Sequence, residues 1–300
     1  MKQIDLSPIN NNELKPYISC KDYTVSRETF SIFIDEDSGL LVTSPRPENQ
    51  ELGKYYESED YISHSNSKKS FLDKLYRVVR NYTIKQKVKL INSFNETDKK
   101  ILDIGAGTGD FLAACKNSRW EVTGVEPNSK ARNIAKKKLD SSSFIYHNVE
   151  DLQLETQSPK PRTYDVITMW HVLEHVPNLT EYVSNLKKLL NPNGTLIIAV
   201  PNHKSFDATY YKEYWAAYDV PRHLWHFSKM AIQKLFQQEN MRVFKTLPMK
   251  FDSYYVSLLS EKYKTGRSNF LKAFFIGFKS NWIARTTKEH SSIIYIIKNS

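Results

Sequence analysis

The chain has 300 residues, with 43 Lys and Arg against 33 Asp and Glu, and its 40% hydrophobic and 25% charged content suits one large globular domain, or a core domain with an extension. No apolar run approaches the ~20 residues that span a bilayer, and the opening Met-Lys-Gln-Ile-Asp-Leu-Ser-Pro lacks the apolar core of a secretion signal. Cys20 and Cys115 build no disulfide framework, so the expectation is a cytoplasmic protein with no membrane partner.

Residues 1–66 read as an irregular extension around one hairpin. Phe30–Ile34 and Leu40–Thr43 are β-prone runs on either side of the polar turn Asp35-Glu-Asp-Ser-Gly39, and Ser44-Pro-Arg-Pro47 ends the pair. Tyrosines follow at 55, 56 and 61. From Lys68 to Phe94 apolar residues (Phe71, Leu75, Val78, Val79, Tyr82, Val88, Ile91) recur at helical spacing, which predicts a long amphipathic helix. Strand and helix then alternate: strand 101–104, helix 108–117, strand 121–126, helix 128–139, strand 144–146. Ser158-Pro-Lys-Pro161 predicts a surface loop before strand Tyr164–Trp170. Helix 179–190, a turn at Asn191-Pro-Asn-Gly194 and the apolar strand Thr195–Val200 come next. An aromatic insert, 201–227, precedes helix 228–238 and strand 242–247, and Ser291–Lys298 closes the chain as a strand. The reading leaves the stretch before 290 open. Such alternation argues for a mostly parallel sheet covered on both faces.

The most informative stretch is Ile101-Leu-Asp-Ile-Gly-Ala-Gly-Thr-Gly109, a strand, a tight glycine turn and a helix start that brings bare backbone close to a nucleotide. Asp103 narrows the choice, because a carboxylate there repels a pyrophosphate and welcomes a cationic amino acid. S-adenosylmethionine, with its ammonium and sulfonium, is such a ligand. The spacing G-x-G-x-G agrees, since a dinucleotide turn needs G-x-G-x-x-G and here meets Asp110. Glu126 ends the next strand about 20 residues on, where an acid accepts ribose hydroxyls. A nicotinamide-dependent dehydrogenase is therefore disfavoured.

These residues, with Val-Thr-Gly-Val-Glu-Pro127, Tyr164-Asp-Val-Ile-Thr-Met-Trp-His-Val-Leu-Glu-His-Val-Pro-Asn178 and Pro192-Asn-Gly-Thr-Leu-Ile-Ile-Ala-Val-Pro-Asn202, resemble the class I S-adenosylmethionine-dependent methyltransferases over about residues 70–300. The likeness is to the ubiquinone-biosynthesis-like and natural-product-modifying branch. It implies a Rossmann-like, doubly wound α/β sheet of seven strands in the order 3-2-1-4-5-7-6, with the seventh antiparallel, and an N-terminal extension of hairpin and helix. Gly105, Ala106 and Gly107, with Gly109 closing the turn, would line the methionine part and Asp103 its ammonium. Glu126 would take the ribose, Pro127 would brush the adenine, and Val149 and Glu150 would hold its edge. Met169, Trp170 and His171 would face the sulfonium, and S-adenosylhomocysteine would be the product. The domains would be 1–66, a degenerate zinc-knuckle-like or cap segment, and 67–300, the methyltransferase domain with its insert. Where relatives pair cysteines this extension keeps only Cys20, so no metal is expected.

His171-Val-Leu-Glu-His175 also spells an inverted zinc-protease pattern, but it follows a buried strand instead of sitting in a long helix. His171 and His175 are candidates for acceptor-side catalysis. His223, in Asp219-Val-Pro-Arg-His-Leu224, is the foremost candidate for a general base, set against a reading in which Asp219 and Arg222 merely pin the loop. The tyrosines and tryptophans of the insert are expected to pack it. The acceptor is expected to be a small or carrier-bound molecule. An RNA-modifying enzyme, using scattered lysines such as Lys136–Lys138, and a non-catalytic cofactor-binding protein are the alternatives.

Overall fold

The computed structural model describes residues 1–56, 71–94, 99–139, 143–155 and 163–300, leaving aside the side chains of 71–76 and 153–155. The predicted loop 158–161, Tyr61 and the start of the long helix at 68–70 lie outside the described residues.

Three strands, β1 (Lys15–Lys21), β2 (Thr29–Ile34) and β3 (Leu41–Thr43), open the chain and pair antiparallel in sequence order. The β2–β3 hairpin falls where its polar turn predicts, whereas β1 has alternation too weak to read. Asp35, in that turn, accepts hydrogen bonds from the hydroxyls of Ser7 and Ser38. The long helix α1 (Phe71–Asn92) forms as its spacing predicts, but its burial is uneven. Ile91 is buried, while Val78 and Tyr82 are more than half exposed. Among the described side chains of α1 and the turn after it, Val88, Leu90, Ile91 and Phe94 pack on the core.

The main sheet uses β4 (Lys100–Ile104), β5 (Glu121–Val125), β6 (Phe144–Tyr146), β7 (Tyr164–Trp170), β8 (Leu190–Pro201), β10 (Met241–Pro248) and β11 (Ser292–Asn299) in the spatial order β10-β11-β8-β7-β4-β5-β6. The first five run parallel, and β11 is antiparallel to both β8 and β10, the expected order and sense. The strands at its centre are apolar on both faces because helices cover both sides: α2 (Asp110–Asn117), α3 (Ser129–Lys138) and α4 (Val149–Glu155), then α5 (Leu179–Leu189) and α7 (Lys229–Gln237). One expectation fails locally. Asn191-Pro-Asn-Gly194 is not a separate turn but the start of β8, where Leu190 pairs with Tyr164 and the register shifts before Val166 meets Thr195. An irregular strand entry absorbs these turn-forming residues.

The insert holds the short helix α6 (Phe206–Tyr211), two single-turn 3-10 helices and β9 (Trp225–His226). β9 adds to β3, so the extension and the insert share one four-stranded sheet. Two helices that the sequence left unread, α8 (Asp252–Thr265) and α9 (Phe270–Thr287), fill the space before β11. Among the described residues no helix is long and apolar enough to cross a membrane.

Candidate active site

The turn after β4 forms because Gly105 and Gly107 take positive φ, +78° and +55°. A Cβ on Gly105 would lie 2.4 Å from a methyl of Val172, whereas one on Gly107 would meet nothing within 4 Å and project into open space. The amides of Gly105 and Ala106 both donate to the Val125 carbonyl, at 2.8 and 2.9 Å, and that of Gly107 donates to Glu126 Oε2 at 2.7 Å. These three amides are therefore engaged inside the protein, which suits the turn poorly to a phosphate. The helix start is likewise taken. Asp110, in the first turn of α2, sits where an anion would bind and is paired with Arg80 and Lys138.

Asp103 is buried at the centre of the sheet and accepts one hydrogen bond, from Thr168 Oγ1 at 2.6 Å. Burial lifts its carboxyl to about pKa 7, against the partial relief given by Thr168 and the more distant Lys87. No cation among the described residues lies within ion-pair distance of it. Glu126 is also buried and takes a second amide, from Asn128, at 2.8 Å. Pro127 is exposed just beyond, and Gly109, facing the backbone of Ala135, serves close packing of α2 on α3. Val149 and Glu150 start α4 after β6, Val149 turned into the core and Glu150 exposed.

At the end of β7, Met169 is buried and Trp170 stands edge-on to Phe111, with the Lys87 ammonium 4.0 Å from its ring centre. The indole Nε1 of Trp170 has no hydrogen-bond partner among the described residues. His171, at φ +58°, lies between Asp252 Oδ2 (3.0 Å) and Glu174 Oε1 (3.4 Å). Burial alone would lower its pKa, but these two carboxylates outweigh it and raise it to about 10. His171 is thus a pinned imidazolium, unfit to take a proton near neutrality. A cavity of about 510 Å³ opens beside this strand end, lined by Tyr82, Gln86, Lys87, Met249, Phe251 and Asp252 among others.

The other two candidate histidines do come together. His175, on the 3-10 turn Leu173–His175, and His223, in the insert, meet edge to face at 4.6 Å. Leu224 N donates to the Glu174 carbonyl, stitching the insert to this turn. Arg222 is committed elsewhere: it binds Asp219 at 2.6 and 3.0 Å, Asp22 at 3.0 Å and the Tyr55 carbonyl at 3.0 Å, all buried or half-buried. It is the loop-fixing ion pair, extended to the N-terminal segment, with four of its five N–H donors already committed inside the protein. Tyr211, Trp215 and Tyr218 are buried and pack the insert, as expected of them. Thr168, Lys87, Asp252 and Asp22 carry no local sequence signal and were not anticipated.

Known proteins align with this arrangement. The family described as "Methyltransferase domain" matches residues 76–246, more than half of the chain. A ubiquinone biosynthesis O-methyltransferase of Haemophilus ducreyi is 32% identical over 108 residues, 35% of this chain and 46% of that protein. A mitochondrial one of Schizosaccharomyces pombe is 35% identical over 108 residues, 34% and 37% of the two chains. The chain thus spans less than half the length of the curated relatives it matches. Among solved structures, magnesium protoporphyrin IX methyltransferase of Synechocystis PCC 6803 with bound S-adenosylhomocysteine superposes with TM-score 0.54 at 16% identity, covering 84% of this chain and 100% of that one. A plantazolicin methyltransferase gives 0.51 at 17%, covering 83% and 95%. At such identities the likeness is one of fold.

Proposed function

Because the chain belongs to the methyltransferase-domain family, we propose that it transfers a methyl group from S-adenosylmethionine to a hydroxyl of a small or carrier-bound acceptor. The observation that carries this reading is Asp103: a buried carboxyl that has, among the described residues, one hydroxyl partner and no cation within ion-pair distance, beside a turn whose amides are already bonded. A ligand with an ammonium and no phosphate complements that site.

When bound, the cofactor supplies an activated methyl and its own leaving group. Asp103 pairs with the ammonium and Glu126 accepts the ribose hydroxyls through its remaining lone pairs. The bare side of Gly107 admits the ligand, while Gly105, Ala106 and Gly109 hold the turn's shape. Pro127, Val149 and Glu150 flank the adenine, and Met169 and Trp170 close the sulfonium side. His171 positions, through Asp252 and Glu174, and does not exchange protons. His175 and His223 face the acceptor and orient its nucleophile, so the protein's chief contribution is alignment. Residues 1–66 and the insert, joined through β3 and β9, form the cap over that side. The hydroxyl acceptor is supported by the O-methyltransferases among the relatives.

Calorimetric titration with S-adenosylhomocysteine, followed by a metabolite screen for transfer of labelled methyl, tests the reading. Binding together with label on an oxygen is the expected result; binding of NAD in its place would overturn it.

A further inference from the structure

We infer that Glu174, His175 and His223 form a binding site for one divalent transition-metal ion, at the junction of the β7 end and the insert. One ligand atom from each lies within 4.8 Å of the other two. Tetrahedral ligands 2.0–2.1 Å from an ion are about 3.3 Å apart, so small side-chain movements close the set.

The hydrogen bonds around the cluster are what an ion requires. His223 Nδ1 faces the Ala217 carbonyl at 2.9 Å, and His175 Nδ1 faces the Arg222 carbonyl at 3.0 Å, with the Tyr56 hydroxyl at 2.9 Å. Carbonyl oxygens only accept, so both Nδ1 atoms carry protons and each Nε2 is the atom left for coordination. This is the usual way a protein orients a metal-binding imidazole. The carbonyl-bearing segment is itself rigid, because Arg222 is locked to Asp219 and Asp22.

Glu174 supplies the independent sign. Its side chain is 1% exposed, and neither carboxylate oxygen takes a hydrogen bond from the described residues. The His171 imidazolium lies 3.4 Å from Oε1 as an ion-pair neighbour. The His171 imidazolium offsets part of this buried charge from one side, but both carboxylate oxygens still lack a hydrogen bond among the described residues, and an ion held with the two imidazoles would supply that contact.

Two imidazole nitrogens and one carboxylate oxygen suit Zn²⁺, Fe²⁺, Co²⁺ or Mn²⁺ better than Mg²⁺ or Ca²⁺. Three protein ligands leave a position for an exchangeable oxygen donor. Resting on the methyl-transfer reading, that position would receive the acceptor's hydroxyl, since Val172, just before this turn, touches the glycine loop. With both Nε2 atoms on an ion, neither histidine takes the acceptor's proton itself.

The test uses the full-length protein stripped with a chelator and dialysed. Co²⁺ alone is titrated while its visible d–d absorption is followed, and Zn²⁺ uptake is counted by mass spectrometry. The expected result is one ion per chain, with Glu174→Gln and His223→Gln each weakening Co²⁺ binding at least 100-fold while S-adenosylhomocysteine affinity changes less than threefold. That retained affinity shows each variant to be folded, and the wild-type stoichiometry stands even if one variant is not. Fewer than about 0.1 ions per chain, or uptake equal in both variants, would overturn the site. Loss of cofactor-product binding in a wild-type protein that still takes one ion would instead overturn the methyl-transfer reading.

Discussion

The glycine turn and the histidine junction lie side by side, touching through Gly105 and Val172, yet they are built in opposite ways. The turn's working parts are nearly contiguous, from Asp103 to Glu126, and each is held by a neighbour in the next strand. The junction is assembled from contacts 47, 180 and 200 positions apart: His175 with Arg222, Thr43 with His223 and Asp22 with Arg222. A site made from one contiguous motif can be moved between proteins with little change, whereas one assembled by long-range closure depends on the particular extension and insert that meet there. On the proposed reading, the first would hold the shared methyl donor and the second would set acceptor choice.

That contrast can be broken in several ways. Arg222→Ala leaves Asp22 and Asp219 uncompensated and should cost about 3–5 kcal/mol of folding stability in urea titration, with Lys a poor substitute for the forked guanidinium. A loss under about 1 kcal/mol would mean that the junction is not held by this network. His223→Ala removes a group that orients the acceptor and should lower labelled-methyl turnover by roughly 10²-fold while leaving cofactor affinity within about threefold; equal losses in both would make the two regions one. Glu126→Ala removes charge-assisted hydrogen bonds, so cofactor affinity should fall by roughly ten- to a hundredfold with turnover at saturation little changed. A change in the turn itself sharpens the boundary. Gly105→Ala should destabilise by about 1–3 kcal/mol, and adding Val172→Ala should restore only the steric part, since φ stays at +78°.

The same contrast explains what could be read in advance. The strand positions and the glycine turn follow from local apolar runs and glycine spacing, information carried within a few residues, while the sheet order and its antiparallel strand are what the resemblance to the methyltransferases implies. The trapping of His171 by Asp252, the commitment of Arg222 to Asp22 and the ammonium of Lys87 on Trp170 depend on segments that only the folded topology brings together. Helices α8 and α9 escaped for a different reason. Along α9 the buried positions are the small residues Ala273, Gly277, Ser280 and Ala284, while Phe274, Phe275, Phe278 and Trp282 are exposed, so the apolar stripe that marks a packed helix is absent. Small residues allow close approach instead: a Cβ on Gly277 would fall 2.9 Å from the Tyr254 Cα. Asn191-Pro-Asn-Gly194 misled because turn-forming residues also fit an irregular strand entry.

The central claim is that Asp103 waits for a cation. Burial holds its carboxyl at about pKa 7, so below that pH a bound ammonium must first displace a proton, and above it none. Calorimetry of S-adenosylhomocysteine binding from pH 5.5 to 8.5 should therefore show affinity rising about tenfold per unit toward pH 7 and levelling beyond it, with the rise abolished in Asp103→Asn. A flat profile in the wild-type protein, or a slope that survives in Asp103→Asn, would contradict the account.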